Sequence, residues 1–167
     1  MIEIHSVNET FAVENKAIPQ IAFSDVPRVY YKLTLSNTEC ILQCASTVIK
    51  PVVNSFADWL CVGIDQKVVI LEKSNFKVLI EKILVSNFYT FEVFKGKLLI
   101  IAEVELYLVN FESGVFLGGI MLKDLLVDYV INDDSVTVTY CDGELEVFYE
   151  EDFYKHSQSL QINSEEA

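Results

Sequence analysis

Three short apolar runs recur at nearly constant spacing, and this recurrence limits the fold more than any other feature of the chain. Val68-Val69-Ile70-Leu71, Leu106-Tyr107-Leu108-Val109 and Leu145-Glu146-Val147-Phe148 begin 38 and 39 residues apart. Three residues before each run stands an acid: Asp65, Glu103 and Asp142. A turn follows each, at Ser74-Asn75, Glu112-Ser113-Gly114 and Glu151-Asp152, and then a further apolar run beginning at Phe76, Val115 or Phe153. Another β-rich run precedes each: Trp59 to Ile64, Leu98 to Ala102, and Val136 to Cys141. Strands of this length cannot bury their apolar faces alone, so the repeat demands neighbours of its own kind.

The segments before the repeat are less regular. Ile2, Ile4 and Val7 alternate as an edge strand would, Phe11 to Ile18 is ambiguous, and Pro19 and Pro27 bracket a loop or edge segment because neither donates to a ladder. Val29 to Leu35 and Cys40 to Cys44 read as strands joined through Ser36-Asn37-Thr38. Asp142-Gly143, between two alternating runs, reads as a type I′ hairpin turn. Phe88 to Phe94 reads as a strand with a tight turn at Lys95-Gly96-Lys97, and Gly118-Gly119 as a bulge or a close strand approach.

A period near 40 with about four short strands per unit resembles β-propeller repeats of the general WD kind, over roughly residues 52–158. The family's Gly-His and Trp-Asp dipeptides are absent, and Asp58-Trp59 has the reverse order. The resemblance implies a single all-β domain of antiparallel four-stranded meanders arranged as a half- or partial-propeller-like array, with a β-sandwich as the alternative. Its parts are an N-terminal edge segment at 1–27, an irregular first unit at 28–51, blade-like repeats at 52–87, 88–123 and 124–158, and a polar tail at 159–167.

A chain of 167 residues buries about two thirds of the surface its unfolded form exposes, so neither disulfide nor metal is needed. Cys40, Cys44, Cys61 and Cys141 lie in apolar runs without a CxxC spacing and read as small buried hydrophobes in a reducing, cytoplasmic setting. Met1 to His5 carry no basic n-region before an apolar core, so no secretory signal is expected, and no apolar stretch is long enough to span a bilayer. Charge is unevenly placed: residues 123–152 contribute −9 of the chain's −13. Such a field disfavours nucleic acid and anionic membrane and steers basic partners toward it.

In an up-and-down meander the first and third turns share an end, which brings Asn132-Asp133-Asp134 beside Glu150-Glu151-Asp152. These acids are either solvated turns capping their own backbone, the docking point of a basic protein, or, less well matched in spacing, a calcium loop. Along the last strand Glu144 and Glu146 fall on one face, with Leu145, Val147 and Tyr149 on the other, expected to face inward. Phe148 then becomes either an exposed anchor or a residue covered by a neighbour. Trp59 reads as core.

Enzyme chemistry finds little to use. His5 and His156 are the only histidines, and no nucleophile elbow, HExxH or Cys/His metal spacing occurs. Carboxylate pairs suited to glycoside hydrolysis are too numerous to be informative. No catalytic residue, metal or cofactor is therefore expected.

By size, charge and missing catalytic motifs, the chain looks like a bacterial immunity protein, as in contact-dependent growth inhibition. That resemblance implies a complex with a cationic toxin domain such as a nuclease, whose active site it masks. The partner-binding set is then Asp133, Asp134, Glu144, Glu146, Glu150, Glu151 and Asp152, with Tyr149, Phe153 and Tyr154 as anchors. The alternatives are a partial-propeller scaffold or assembly subunit, and a carboxylate-based hydrolase.

Overall fold

The protein divides into two compact units, Met1–Ile83 and Leu84–Ala167, where its length alone suggests one domain. A computed structural model describes residues 2–155. In the first unit β1 (Ile2–Val7) leads through α1 (Glu9–Glu14) and β2 (Gln20–Ala22) to β3 (Val29–Leu35) and β4 (Thr38–Cys44). Asn8 caps α1 by accepting the Phe11 N–H. These strands form a sheet in the order β1-β3-β4-β2, with only β2 parallel to its neighbour. The N-terminal segment is thus built into the first sheet, and β2, held between two prolines, is its short edge.

The other sheets are sequential meanders. β5 (Val52–Phe56), β6 (Trp59–Ile64), β7 (Lys67–Glu72) and β8 (Val78–Ile83) pair in chain order in the first unit. In the second, β9 (Phe88–Phe94), β10 (Lys97–Ala102), β11 (Glu105–Val109) and β12 (Phe116–Met121) do the same. β13 (Leu126–Ile131), β14 (Ser135–Tyr140) and β15 (Leu145–Tyr149) form a three-stranded meander followed by α2 (Glu150–Lys155).

The last repeat departs from the sequence expectation at its end. After β11, Asn110 closes a turn in which Gly114, at φ +67°, donates back to the Asn110 carbonyl; after β7, Phe76 at φ +56° plays the same part toward Glu72. The equivalent position is Phe153, and there the chain is helical instead. Glu150, Glu151 and Asp152 occupy the first turn, where their charge suits the positive end of the backbone dipole, and Lys155 the last. Asp152 also accepts the Tyr149 N–H at 2.8 Å, the return bond of a capping box. The run beginning at Phe153 is accordingly part of a helix, not a strand.

Hairpin chemistry differs from expectation in a similar way. The positive φ angles of a type I′ turn fall on Lys95 and Gly96. At Asp142-Gly143 only Gly143 is left-handed, at φ +85°, and its N–H donates to the Tyr140 carbonyl, giving a three-residue loop. Cys141 therefore sits exposed in that loop and not in the core, its thiol donating to Asp124 Oδ2 at 3.3 Å.

Each unit has its own core. In the first, Leu33, Cys40 and Leu42 of one sheet meet Leu60, Val62, Val69 and Leu71 of the next, and Phe76 closes the gap. In the second, Leu99, Ile101, Leu106 and Leu108 face Val136, Val138, Tyr140 and Phe148, with Phe153 as the plug. Each such side chain contributes roughly 1.5–3 kcal/mol by leaving water.

The face of β15 is the reverse of the expected one. Phe148 packs inward opposite Val136, whereas Leu145, Val147 and Tyr149 are exposed. The inner face is set by the cross-strand rows through Val136, Val138 and Tyr140, which leave Glu146 and Phe148 on that side.

One buried acid organises the entry to the second unit. Glu105, fully buried, accepts from the N–H groups of Val85 and Ser86 at 2.5 and 3.1 Å and from the Tyr107 hydroxyl at 2.7 Å. Glu103 likewise receives Asn87. The segment between β8 and β9 thus satisfies its donors on carboxylates. The Tyr107 ring lies over Gly119, where an added Cβ would come within 2.5 Å of it. Gly119→Ala is expected to destabilise the second unit by about 1–3 kcal/mol by displacing that ring. Glu105→Ala is expected to cost roughly 3 kcal/mol, because it orphans buried donors. Urea denaturation of both variants checks these values.

Burial also makes the fold sensitive to alkali. It pushes the Cys40, Cys44 and Cys61 thiols from 9.0 up to about 12, with Asp65 adding to the effect at Cys44. Tyr129 and Tyr154 rise from 10.0 to about 12 through burial and then through the Glu92 and Glu150 carboxylates. A group whose proton is held more tightly when folded stabilises the fold below its unfolded value and loses that contribution as pH rises. The urea midpoint should therefore begin to fall near pH 9 in the first unit and near pH 10 in the second, and continue falling to about pH 12. A midpoint that stays level across this range would contradict the burial of these groups.

Candidate functional site

The acids expected to form one patch are distributed over the three-stranded sheet. Ser135 pairs with Tyr149, so the turn bearing Asp133 and Asp134 lies at the same end as the start of α2 with Glu150, Glu151 and Asp152. Asp142 and Glu144 lie at the other end, and Glu146 lies on the inner face beside Val138.

Many of these acids already have partners. Lys123 pairs with Glu144. Lys97 reaches Glu150 at 3.0 Å, Lys95 reaches it at 3.9 Å, and the Tyr154 hydroxyl also donates to it. The Tyr154 hydrogen bond, followed by Lys97, holds the Glu150 carboxyl below its ordinary value. Lys155 pairs with Asp152 at 2.6 Å. Glu146 accepts from the Tyr140 hydroxyl, and Lys123 also lies 5.0 Å from the Tyr140 ring centroid. Asp133, Asp134 and Glu151 are exposed, without an ion pair among the described residues.

The aromatic anchors separate similarly. Phe153 is fully buried in the core and cannot meet a partner; Tyr154 is half-buried against Glu150; Tyr149 alone is exposed. The sequence reading missed Glu92, Glu105, Lys95 and Lys97. Glu92 receives the Tyr129 hydroxyl at 2.7 Å across two sheets. The second unit thus answers its acids with tyrosine hydroxyls: Tyr107, Tyr129, Tyr140 and Tyr154, each to a glutamate. Only Glu105-Leu106-Tyr107 and Glu150 to Tyr154 are close enough in sequence to suggest such pairs.

Two clefts are formed among the described residues, and neither gathers a set of reactive groups. A cleft of about 490 Å³ in the first unit is lined by Lys16, Ile18, Gln20, Tyr30 and Gln43 among others. A second, of about 620 Å³, lies at the turn ends near Asp58, Glu72 and Lys73. Lys73 is there bonded to the Ala57 carbonyl and Glu72 to Asn75. His5 is exposed beside Glu3 at 3.5 Å, and His156 lies outside the described residues. Among the described residues no three His, Cys, Asp or Glu side chains converge on a metal position. No helix among them is long and apolar enough to cross a membrane.

The fold is all-β and propeller-like, built from repeated antiparallel meander sheets. It is similar to the computationally designed Ika4 protein, with a TM-score of 0.53 at 16% identity over 79% of this chain and 90% of that one. It is also similar to the designed Ika8 protein, with a TM-score of 0.51 at 15% identity over 79% of this chain and 45% of that one. A third likeness is to BamB from Moraxella catarrhalis, a β-propeller, with a TM-score of 0.50 at 15% identity over 72% of this chain and 40% of that one. The chain spans less than half the length of Ika8 and BamB. No protein-family model matches it, and no curated protein matches its sequence.

The cap on α2 is testable. Asp152→Ala removes the acceptor for the Tyr149 N–H and the partner of Lys155, and should cost about 1 kcal/mol in thermal or urea unfolding. An unchanged midpoint would show that α2 does not depend on this cap.

Proposed function

We propose that the protein is a non-enzymatic scaffold, a propeller-like assembly subunit that presents sheet edges and turns to other protein chains. The observation that carries this reading is the use made of its ionisable groups. Carboxylates, lysines and tyrosine hydroxyls in the second unit are paired with one another to hold strands and linkers, and neither cleft collects a set able to move protons. The propeller-like fold supports the same reading at the level of architecture.

The narrower reading, an immunity protein masking a basic toxin, draws its support from the excess negative charge alone. Glu144, Glu150 and Asp152 are engaged by lysines of the same chain, which leaves Asp133, Asp134 and Glu151 as the exposed acids of the expected partner-binding set without an ion pair among the described residues, with Asp128 and Asp142 exposed on the same sheet. Charge reversal at these three probes that reading without breaking an internal pair.

The scaffold reading predicts that a tagged chain, expressed at its native level, is recovered in a stoichiometric complex, with itself or with a defined partner, by native mass spectrometry. A chain found as a free monomer at all accessible concentrations would contradict it. If a complex forms and triple charge reversal at Asp133, Asp134 and Glu151 weakens it with a reduced salt dependence, the partner is basic at that surface.

A further inference from the structure

We infer that β15 receives a fourth strand from a protein partner whose extended segment alternates apolar and basic residues, an interaction that rests on the scaffold reading above. Three facts lead there: the sheet's strand number, the direction of its free backbone groups, and the charge around them.

The sheet containing β15 has three strands where the other three have four. In the repeat, Leu145 corresponds to Val68 and Leu106, and Val147 to Ile70 and Leu108. Those four equivalents are 0% exposed; Val68 and Ile70 pair with Lys82 and Ile80 of β8, and Leu106 and Leu108 with Ile120 and Gly118 of β12. Leu145 is 66% exposed and Val147 45%. Leu106 and Leu108 are covered by the facing β13–β15 sheet and flanked by β12, whereas Leu145 and Val147 have, among the described residues, neither a place in the unit's core nor a flanking fourth strand. In sequence, α2 follows β15 where β12 follows β11.

The backbone of β15 is oriented for such a strand. The Tyr140 N–H donates to the Glu144 carbonyl at 2.9 Å, so these two residues form a bonded pair. Alternation along an antiparallel ladder makes Val138–Glu146 and Val136–Phe148 the next bonded pairs. The N–H and C=O groups of Leu145 and Val147 therefore point away from β14, toward the open edge. Such a row templates strand addition, in which main-chain bonds give affinity and alternate side chains give selectivity.

The surroundings set the chemistry of the incoming strand. Apolar residues opposite Leu145 and Val147 would cover them. The intervening positions lie beside Glu146, which keeps its charge although it accepts the neutral Tyr140 hydroxyl, and beside Glu144, whose charge Lys123 offsets; with Asp142 and Glu151 close to the two ends the edge is negative, so Lys or Arg there suits it. Residues 156–167 include Glu165 and Glu166 but no Lys or Arg, and so lack that complement.

The probe is a synthetic peptide of roughly seven residues alternating Ile or Val with Lys, compared with a second in which Glu replaces Lys. Calorimetry with the full chain should show saturable binding of the Lys peptide that weakens with salt, and at least about tenfold weaker binding of the Glu peptide. Backbone amide NMR shifts should centre on β15. Val147→Pro deletes one outward N–H without touching a bond to β14, a substitution tolerated at a sheet edge. Leu145→Lys replaces the apolar contact with a repelling charge. Both should keep the thermal midpoint within a few degrees and lower affinity for the Lys peptide at least tenfold. Failure of the Lys peptide to bind, equal binding by both variants, or shifts remote from β15 would overturn the proposal. So would a concentration-dependent dimer abolished by Val147→Pro when the Lys peptide does not bind, since the occupant is then a second copy. If the peptide fails while a native stoichiometric complex persists, this edge is excluded and the scaffold reading stands.

Discussion

An apolar strand in the third position of a meander needs cover on its faces and hydrogen-bond partners along both edges, and the rest of the structure depends on how each repeat meets that need. β7 and β11 meet it with a fourth strand, turned back by a left-handed residue at Phe76 or Gly114. The last repeat has the same apolar run but three acids where the turn should close, and these start a helix. Its Phe153 still reaches the core, as Phe76 does in the first unit, so the repeat keeps its plug while, among the described residues, the outer edge of β15 has no strand beside it.

Negative charge is the second constraint, and the second unit handles it with few cations. Four tyrosine hydroxyls donate to four glutamates, and the fully buried Glu105 is held by backbone donors and one of those hydroxyls. A buried carboxylate is tolerable when its acceptor sites are filled, and here filling them also fixes the linker that enters the unit. Exposed pairs such as Lys123–Glu144 and Lys155–Asp152 add little stability, though they reduce the charge a partner meets.

The all-β, propeller-like class was legible because it rests on spacing and on continuous apolar runs such as Trp59 to Ile64 and Leu98 to Ala102, which have one reading whichever face is inward. The face of β15 was not, because Leu-Glu-Val-Phe-Tyr offers three apolar residues on one side and one on the other. Pattern alone favours burying the three, whereas the rows set by Val136, Val138 and Tyr140 place Phe148 inside. The start of α2 was hidden because acids that open a helix also suit a turn. Pairs such as Tyr129–Glu92, 37 residues apart, leave no local trace, so the candidate patch read from the sequence contained acids that are already engaged.

β7 and β11 have a strand on each side, whereas β15, among the described residues, has one on one side only. Residue-resolved amide hydrogen exchange on the full chain tests it most directly. Slow exchange is expected at Val68, Ile70, Leu106 and Leu108, and fast exchange at Leu145 and Val147 beside slowly exchanging Glu146 and Phe148. Equal, strong protection at Leu145 and Val147 in the isolated monomer would contradict it.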